Sequence, residues 1–390
     1  MSRQQTRRSS GLDATIAKRP LYRAIADTLR RQLASGSLSP GAKLPPIRTL
    51  AAQFNVSVVT VSKALRALEN EGQVTCIPTV GAFVPATTVA QGTPAQVTIA
   101  FATVALEDAL TSWIASGIEE ACRERGWLLQ IHNARTDPRN EAETLNRLPN
   151  TNTKGAIVLP LSDDPNIEAM FYLKFNKFPF VLVDRHIPGL RVDVVESDHE
   201  KGGYLATQYL LQHGHRRVFM YTSPPGCFTS ADTRAKGYER ALIENGIEPR
   251  LEWKVTCDCD VEGRKRDAKA GPPWIGWYEG IVPFLRKLDP PAAFFAMNAY
   301  AGRGLLKACR DLGLRIPDDV SVVCFDDTEF MEAFDPPVTV VAQRRREVGQ
   351  AAVEALERRF ASGVAAEPQN TLIDVDLIER GSVRRLDQQC

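Results

Sequence analysis

From residue 97 onward short apolar runs alternate with amphipathic stretches, and this alternation limits the possible folds more than any other feature of the chain. VTIAFATV reads as a buried strand, and WLLQIHNA, GAIVLPL, FPFVLVD, RRVFMYTS, AAFFAMN and VSVVCFDD read as further strands. SWIASGIEEACRERG, EKGGYLATQYLLQHG, TRAKGYERALIENG and GRGLLKACRDLG carry a helical period. The pattern therefore predicts α/β architecture, with parallel sheets wound on both sides by helices. A ligand of such a sheet sits outside the carboxyl ends of the strands. Two such units in tandem place a cleft between two lobes.

The first 85 residues follow a different rhythm. Leu21, Ile25, Leu29 and Leu33 recur at a helical spacing, and Ser35-Gly36 and Pro40-Gly41 close that helix. Pro45-Pro46 opens a short helix with Ile47, Leu50, Ala51 and Phe54 on its inner face. Val56-Ser57 forms a turn, and Ser57 is placed to cap a further helix lined on one side by Val58, Val61, Leu65 and Leu68. QVTCIPTVGAFVPA then predicts two short strands around Thr79-Val80-Gly81. Helix, helix, turn, helix and hairpin make a winged helix-turn-helix, which brings Ser57 to Lys63 to a DNA major groove and the wing, Pro78 to Ala82, toward the backbone or the neighbouring groove. Charge agrees with this reading. Residues 1–85 hold twelve Lys/Arg and four Asp/Glu in a chain whose total is +1, so a basic end precedes an acidic remainder.

LYRAIADTLRRQLASGSLSPGAKLPPIRTLAAQFNVSVVTVSKALRALENEGQVTCIPTVGAFV resembles the GntR-family DNA-binding domain. The resemblance implies contacts to DNA from Arg48, Ser57, Val58, Val59, Thr60, Lys63, Thr79 and Gly81. Arg48 and Lys63 would hold phosphates, Val58 or Val59 would meet a thymine methyl, and Ser57 or Thr60 would reach base edges or phosphates. The chain departs from the family at Val58 and Ser62, where arginine is frequent, and in its apolar wing. Arg3, Arg7 and Arg8 of the basic tail remain available. The expected domains are a flexible tail (1–18), the winged helix-turn-helix (19–85), a linker rich in Pro, Thr, Gly and Ala (86–96) and a body (97–385).

The body resembles the LacI-type effector domain, itself similar to periplasmic sugar-binding proteins. GIEEACRERGW, FVLVDR, GGYLATQYLLQHGHRRV, RAKGYERAL, LGLRIPDDVSVVCFDD, FDPPVTVVAQ and IERGSV carry the likeness, and CDCDVEGRKRDAKAGPPWIGW is an unfamiliar insertion. A GntR-type head on a LacI-type body is the combination of AraR-like sugar-responsive repressors. The resemblance implies lobe one at about 97–196 and 344–370 and lobe two at about 197–342 and 371–385. It also implies an effector site of Trp113, Asn133, Arg135, Asp184, Arg185, Arg234, Asn298, Asp326 and Gln343. Such a set offers paired donors and acceptors to vicinal hydroxyls, with Trp113 available to stack on a sugar face. Other roles stay open: Arg185 may be read as a partner of Asp184 or Asp198 that ties the lobes, Arg234 as a surface helix residue, Trp113 as core. Trp274 and Trp277 of the insertion either cap the cleft or pack in a loop.

Catalytic signatures are missing from the sequence. It holds no GxSxG elbow, phosphate-binding GxxxxGK[ST] loop, HExxH or post-strand GxGxxG. Cys257 and Cys259 have no second pair to complete a zinc site, so the eight cysteines are expected as free thiols and no metal or cofactor is expected. No apolar run reaches a membrane span, and the polar, basic start is no secretory signal. The expectation is a cytoplasmic, ligand-responsive DNA-binding regulator, acting as a homodimer on operator DNA. An exported sugar-binding protein is the alternative.

Overall fold

The computed structural model describes residues 21–34, 38, 41–77, 81–84, 96–161, 166–257, 272–363 and 366–386. The basic tail, most of the linker and the wing tip with Thr79 lie outside the described residues. The chain forms two compact units, residues 1–95 and 96–390.

In the first unit α1 (Leu21–Ala34), α2 (Ile47–Gln53) and α3 (Val58–Asn70) precede the antiparallel hairpin of β1 (Thr75–Ile77) and β2 (Gly81–Phe83). Ile25, Leu29, Leu50, Val61, Leu65, Leu68, Val74 and Ala82 fill one core. Ser57 caps α3 by accepting the Thr60 amide at 3.2 Å. Asn55, at φ 50°, makes the left-handed turn between α2 and α3. A bidentate ion pair of Arg30 with Glu71 pins the end of α3 to α1. Val58 departs from the expected apolar stripe. It is 46 % exposed, and Val59 beside it is 64 % exposed.

The second unit holds two six-stranded sheets. Lobe one contains β3 (Thr98–Thr103), α4 (Ala109–Glu124), β4 (Leu128–Asn133), α5 (Pro138–Arg147), β5 (Gly155–Val158), α6 (Ile167–Phe175), β6 (Phe180–Val183) and β7 (Asp193–Ser197). Lobe two continues with α7 (His199–Gln212), β8 (Val218–Thr222), α8 (Thr229–Glu244), β9 (Lys254–Thr256), α9 (Trp274–Leu285), β10 (Ala292–Ala296), α10 (Ala299–Asp311), β11 (Val320–Phe325), α11 (Glu329–Ala333) and β12 (Thr339–Gln343). The chain then returns to lobe one with α12 (Arg345–Ser362) and β13 (Asn370–Ile373), and to lobe two with β14 (Val375–Ile378).

The strand orders are β13-β7-β6-β5-β3-β4 and β14-β12-β11-β10-β8-β9, all parallel except the β12–β14 pair. Strand β3 shows why its sequence is apolar throughout. Ile99 and Phe101 pack with α4 and α12 on one face, while Ala100 and Ala102 pack with Leu145, Met170 and Leu173 on the other. The third crossing between lobes falls at Asp374, because Asn370 to Ile373 pair with β7; residues 371–373 thus belong to lobe one, slightly beyond the expected boundary. Cys257 is disulfide-bonded, against the expectation of free thiols, whereas Cys76, Cys122, Cys309 and Cys324 are free. Of the insertion's two tryptophans neither caps the cleft: Trp277 is fully buried in the lobe-two core and Trp274 lies under the Arg303 guanidinium at 4.8 Å.

Candidate effector cleft and reading helix

The carboxyl ends of both sheets open on one cavity of about 400 Å³. Asp184, Arg185, Arg234, Asn298, Asp326 and Gln343 line it, drawn together from strand ends and helix starts of both lobes. Asp184 and Asp326 leave their strands at φ 70° and 82°, the left-handed turn that swings each carboxylate toward the cleft. Arg185 donates to Asp184 through Nε at 3.1 Å and Nη2 at 3.0 Å, and its guanidinium lies 4.8 Å from the centre of the Phe228 ring. Gln343 donates to Asp326 Oδ1 at 2.5 Å and accepts from Ser197 at 2.7 Å, on the crossover between lobes. Asn298 caps α10 by accepting the Ala301 amide at 2.8 Å.

Three residues of the expected set stand apart from the cleft lining. β4 is the edge strand of its sheet, so its end delivers Asn133 and Arg135 away from the cavity, and Asn133 Oδ1 instead accepts the Arg135 amide at 3.0 Å. The buried face of α4 carries Thr111, Ile114, Ala115 and Ile118; this turns Trp113 outward, 46 % exposed, with Arg346 4.8 Å above its ring.

Other cleft residues escaped the sequence reading. Asp108 caps α4 and accepts the Tyr300 hydroxyl across the cleft at 2.7 Å. Burial raises the Asp108 carboxyl above its ordinary range. Arg345, the first residue of α12, also lines the cavity. Behind these, Arg234 spreads its 4 % exposed side chain over the Phe325 ring at 3.6 Å. It donates to the Met297 carbonyl at 2.5 Å and to His199 Nδ1 at 3.2 Å. Because arginine only donates, His199 Nδ1 accepts, and the imidazole proton sits on Nε2, which donates to the Asp184 carbonyl at 2.8 Å. Burial opposes ionisation of Asp184, but Arg185, with His199 and Arg234 beyond it, holds that carboxyl below its usual value.

His199 itself is pushed down from 6.5 to about 4 by burial and by the charge of Arg234. The unfolded imidazole takes up a proton below pH 6.5 and the folded one only near 4, so folding stability falls as pH drops through that window. The expected loss is about 3 kcal/mol. His199→Gln keeps a donor for Asp184 and an acceptor for Arg234 but cannot titrate. Urea unfolding between pH 7 and pH 4 should show a shallower pH dependence in this variant; an unchanged slope would refute the role given to His199.

On the head unit Arg48, Ser57, Val58, Val59 and Lys63 are exposed, on α2, the turn and the first turns of α3. Thr60 is half-buried, and its hydroxyl lies 2.8 Å from that of Ser57, so the two hydroxyls are tied to each other and to the cap. Gly81 opens β2 at φ 133°, where a Cβ would come within 2.9 Å of Lys43 Cε. Lys43, which sequence reasoning passed over, is thereby placed beside the wing.

A helix-turn-helix head and a two-lobed body with a cleft between its lobes make the architecture of a ligand-responsive transcription regulator. Residues 21–84 match the bacterial regulatory proteins of the gntR family, and residues 207–383 match the periplasmic binding protein-like domain. An arabinose metabolism transcriptional repressor of Geobacillus stearothermophilus is 27 % identical over 94 % of this chain and 98 % of its own length. The HTH-type transcriptional repressor PurR of Aliivibrio fischeri is 28 % identical over 63 % of this chain and 69 % of its own. Among solved structures, a LacI family regulator from Enterococcus faecium with bound ribose covers 74 % of this chain and 100 % of its own at 23 % identity and a TM-score of 0.61. Among the described residues no helix is long and apolar enough to cross a membrane.

Proposed function

We propose that this protein is a transcriptional repressor without catalytic activity, whose operator affinity is set by a sugar-class ligand held in the cleft. The observation that carries the reading is the cleft itself, lined from both lobes by side chains that can pair with hydroxyls. A ligand spanning the lobes binds one inter-lobe geometry better than others and so shifts their population. Arg48, Lys63 and the residues flanking Ser57 form the DNA-facing surface, with exposed Val58 and Val59 available to thymine methyls. A homodimer presents two such helices to a two-fold operator. The geometry of the reading helix, arabinose for one relative and bound ribose in another's structure are together the support for a cytoplasmic regulator of sugar use.

Fluorescence anisotropy on a palindrome from upstream of the chain's own gene tests this. Affinity should fall steeply with salt, and Lys63→Ala should flatten the slope of log K against log salt by about one. Added sugar should change the affinity of the wild-type protein. DNA binding that is absent or indifferent to salt would overturn the reading.

A further inference from the structure

The cleft holds buried groups that its own side chains leave incomplete, and their charge specifies the ligand further; this inference rests on the effector-cleft reading. Arg345 is 8 % exposed. Its Nη2 donates to the Asp327 carbonyl at 2.9 Å and lies 3.5 Å from Asp326 Oδ1, but its buried Nε–H meets no acceptor. Arg234 is buried as well, and among the described residues its donors go to a carbonyl and to neutral His199, with no ion pair. The carboxylates nearby are already occupied. Asp326 accepts from Gln343 and from Arg345 Nη2, and Asp108 accepts from two backbone amides and Tyr300. The N-terminal ends of α4, α8, α10 and α12 also open on the cavity, adding the positive ends of four helix dipoles. One buried acceptor is left over on the other side of the balance: Asp184 Oδ1 has no donor.

We infer that the effector is an anionic sugar, a polyhydroxylated carboxylate or a sugar phosphate, whose charged oxygen is taken by Arg345 Nε with Arg234 alongside and whose hydroxyl donates to Asp184 Oδ1. A neutral pentose would supply the hydroxyl for Asp184 but would leave Arg234 with uncharged acceptors only and Arg345 with one 3.5 Å ion pair to Asp326 and an idle Nε–H. Charge-assisted hydrogen bonds are roughly twice as strong as neutral ones, so the acid is favoured over its parent sugar.

Isothermal titration of the full chain tests this with D-galacturonate, D-gluconate and D-ribose 5-phosphate, each against D-galactose, D-glucose and D-ribose. One acid should bind at least about tenfold more tightly than its neutral parent, and the carboxylate and phosphate arms distinguish the two sources of charge. Arg345→Gln should weaken that acid by about 10- to 100-fold and leave the neutral sugar within about twofold. Arg345→Lys, which restores a charge, should recover part of the loss; operator binding and the melting temperature report that both variants are folded. A neutral sugar binding as tightly as its acid, or an acid indifferent to Arg345→Gln, overturns the anionic assignment while the effector reading of the cleft stands. If none of the six binds or alters operator affinity, both fall.

Discussion

Alanine in place of Gly237 is expected to force α7 and α8 apart and to cost the second lobe about 3 kcal/mol. A Cβ at Gly237 would lie 1.9 Å from the Glu200 carbonyl oxygen and 2.7 Å from the Tyr204 amide nitrogen. Both are backbone atoms inside a helix, and neither can rotate away. The contact is reciprocal, since a Cβ at Gly203 would lie 2.0 Å from the Arg234 carbonyl oxygen. Restoring van der Waals distance requires the helices to separate by roughly 1 Å or more, which a close-packed interior resists. His199 rides on α7 and Arg234 on α8, so the same displacement breaks the hydrogen bond between them. Urea unfolding should therefore show lost stability together with a weakened effector response. Lys236→Ala, at an exposed position of the same helix, serves as the control. A Gly237→Ala protein that melts like the control and responds like the wild type would show that the helices tolerate the separation. Lobe one repeats the device where α4 meets α12: a Cβ at Gly117 would lie 2.1 Å from the Arg346 carbonyl oxygen, and one at Gly349 2.3 Å from that of Ile114.

These glycines mark the limit of what periodicity reveals. The central strands β3, β5, β6, β8, β10 and β11 could be read from sequence because each is a mainly apolar run, whereas β7, β9, β13 and β14 carry charged or polar residues and give no such run. The head is legible because its stripes, its Ser57 cap and its hairpin agree with one another. Pairing across lobes could not. Nothing local tells that Asn370 to Ile373 return to the first sheet and Val375 to the second, since such pairing is decided by tertiary packing.

The cleft divides in the same way. Asp184, Arg185, Arg234, Asn298, Asp326 and Gln343, which the resemblance implies, lie at strand ends or the helix starts after them, and these converge on the cavity. Asn133 and Arg135 follow the same rule, yet β4 lies at the sheet edge, and strand order is not a local property. Arg345 does carry a signal in the sequence. It stands in phase with Val348, Gly349, Ala352 and Val353, the buried stripe of α12, whereas Arg344 and Arg346 fall outside that stripe. Asp108 had one too, as an acidic residue just before a helical period. His199 had none, because its burial follows from the packing of α7 against β11.

Arg234→Met is expected to abolish the effector response, weakening the ligand at least about 100-fold, while leaving the fold nearly as stable as before. The two halves of this expectation have different origins. Loss of binding follows from position: the guanidinium lines the cleft, held flat by Phe325 and aimed by the Met297 carbonyl and His199. Near-neutral stability follows from the opposing terms of a buried charge. Burial lowers the pKa of Arg234, a sign that the folded protein bears a cost for keeping the charge there, which the charges of Asp326 and Asp184 offset only in part. Methionine removes that cost and fills much of the same volume against Phe325, but it orphans the Met297 carbonyl and His199 Nδ1. Gains and losses of similar size should leave the melting temperature within a few degrees, about 3 °C, of wild type. Operator binding without ligand should be unchanged, because Arg234 lies in the effector body and not in the helix-turn-helix unit. The comparison is made by anisotropy with and without the sugar that shifts the wild-type protein, alongside a thermal melt. A variant that still responds would remove Arg234 from the ligand's contacts, and one that melts far below wild type would make its network a support of the fold. The expected outcome, folding intact and response lost, is what a residue kept for binding at a cost to stability should give.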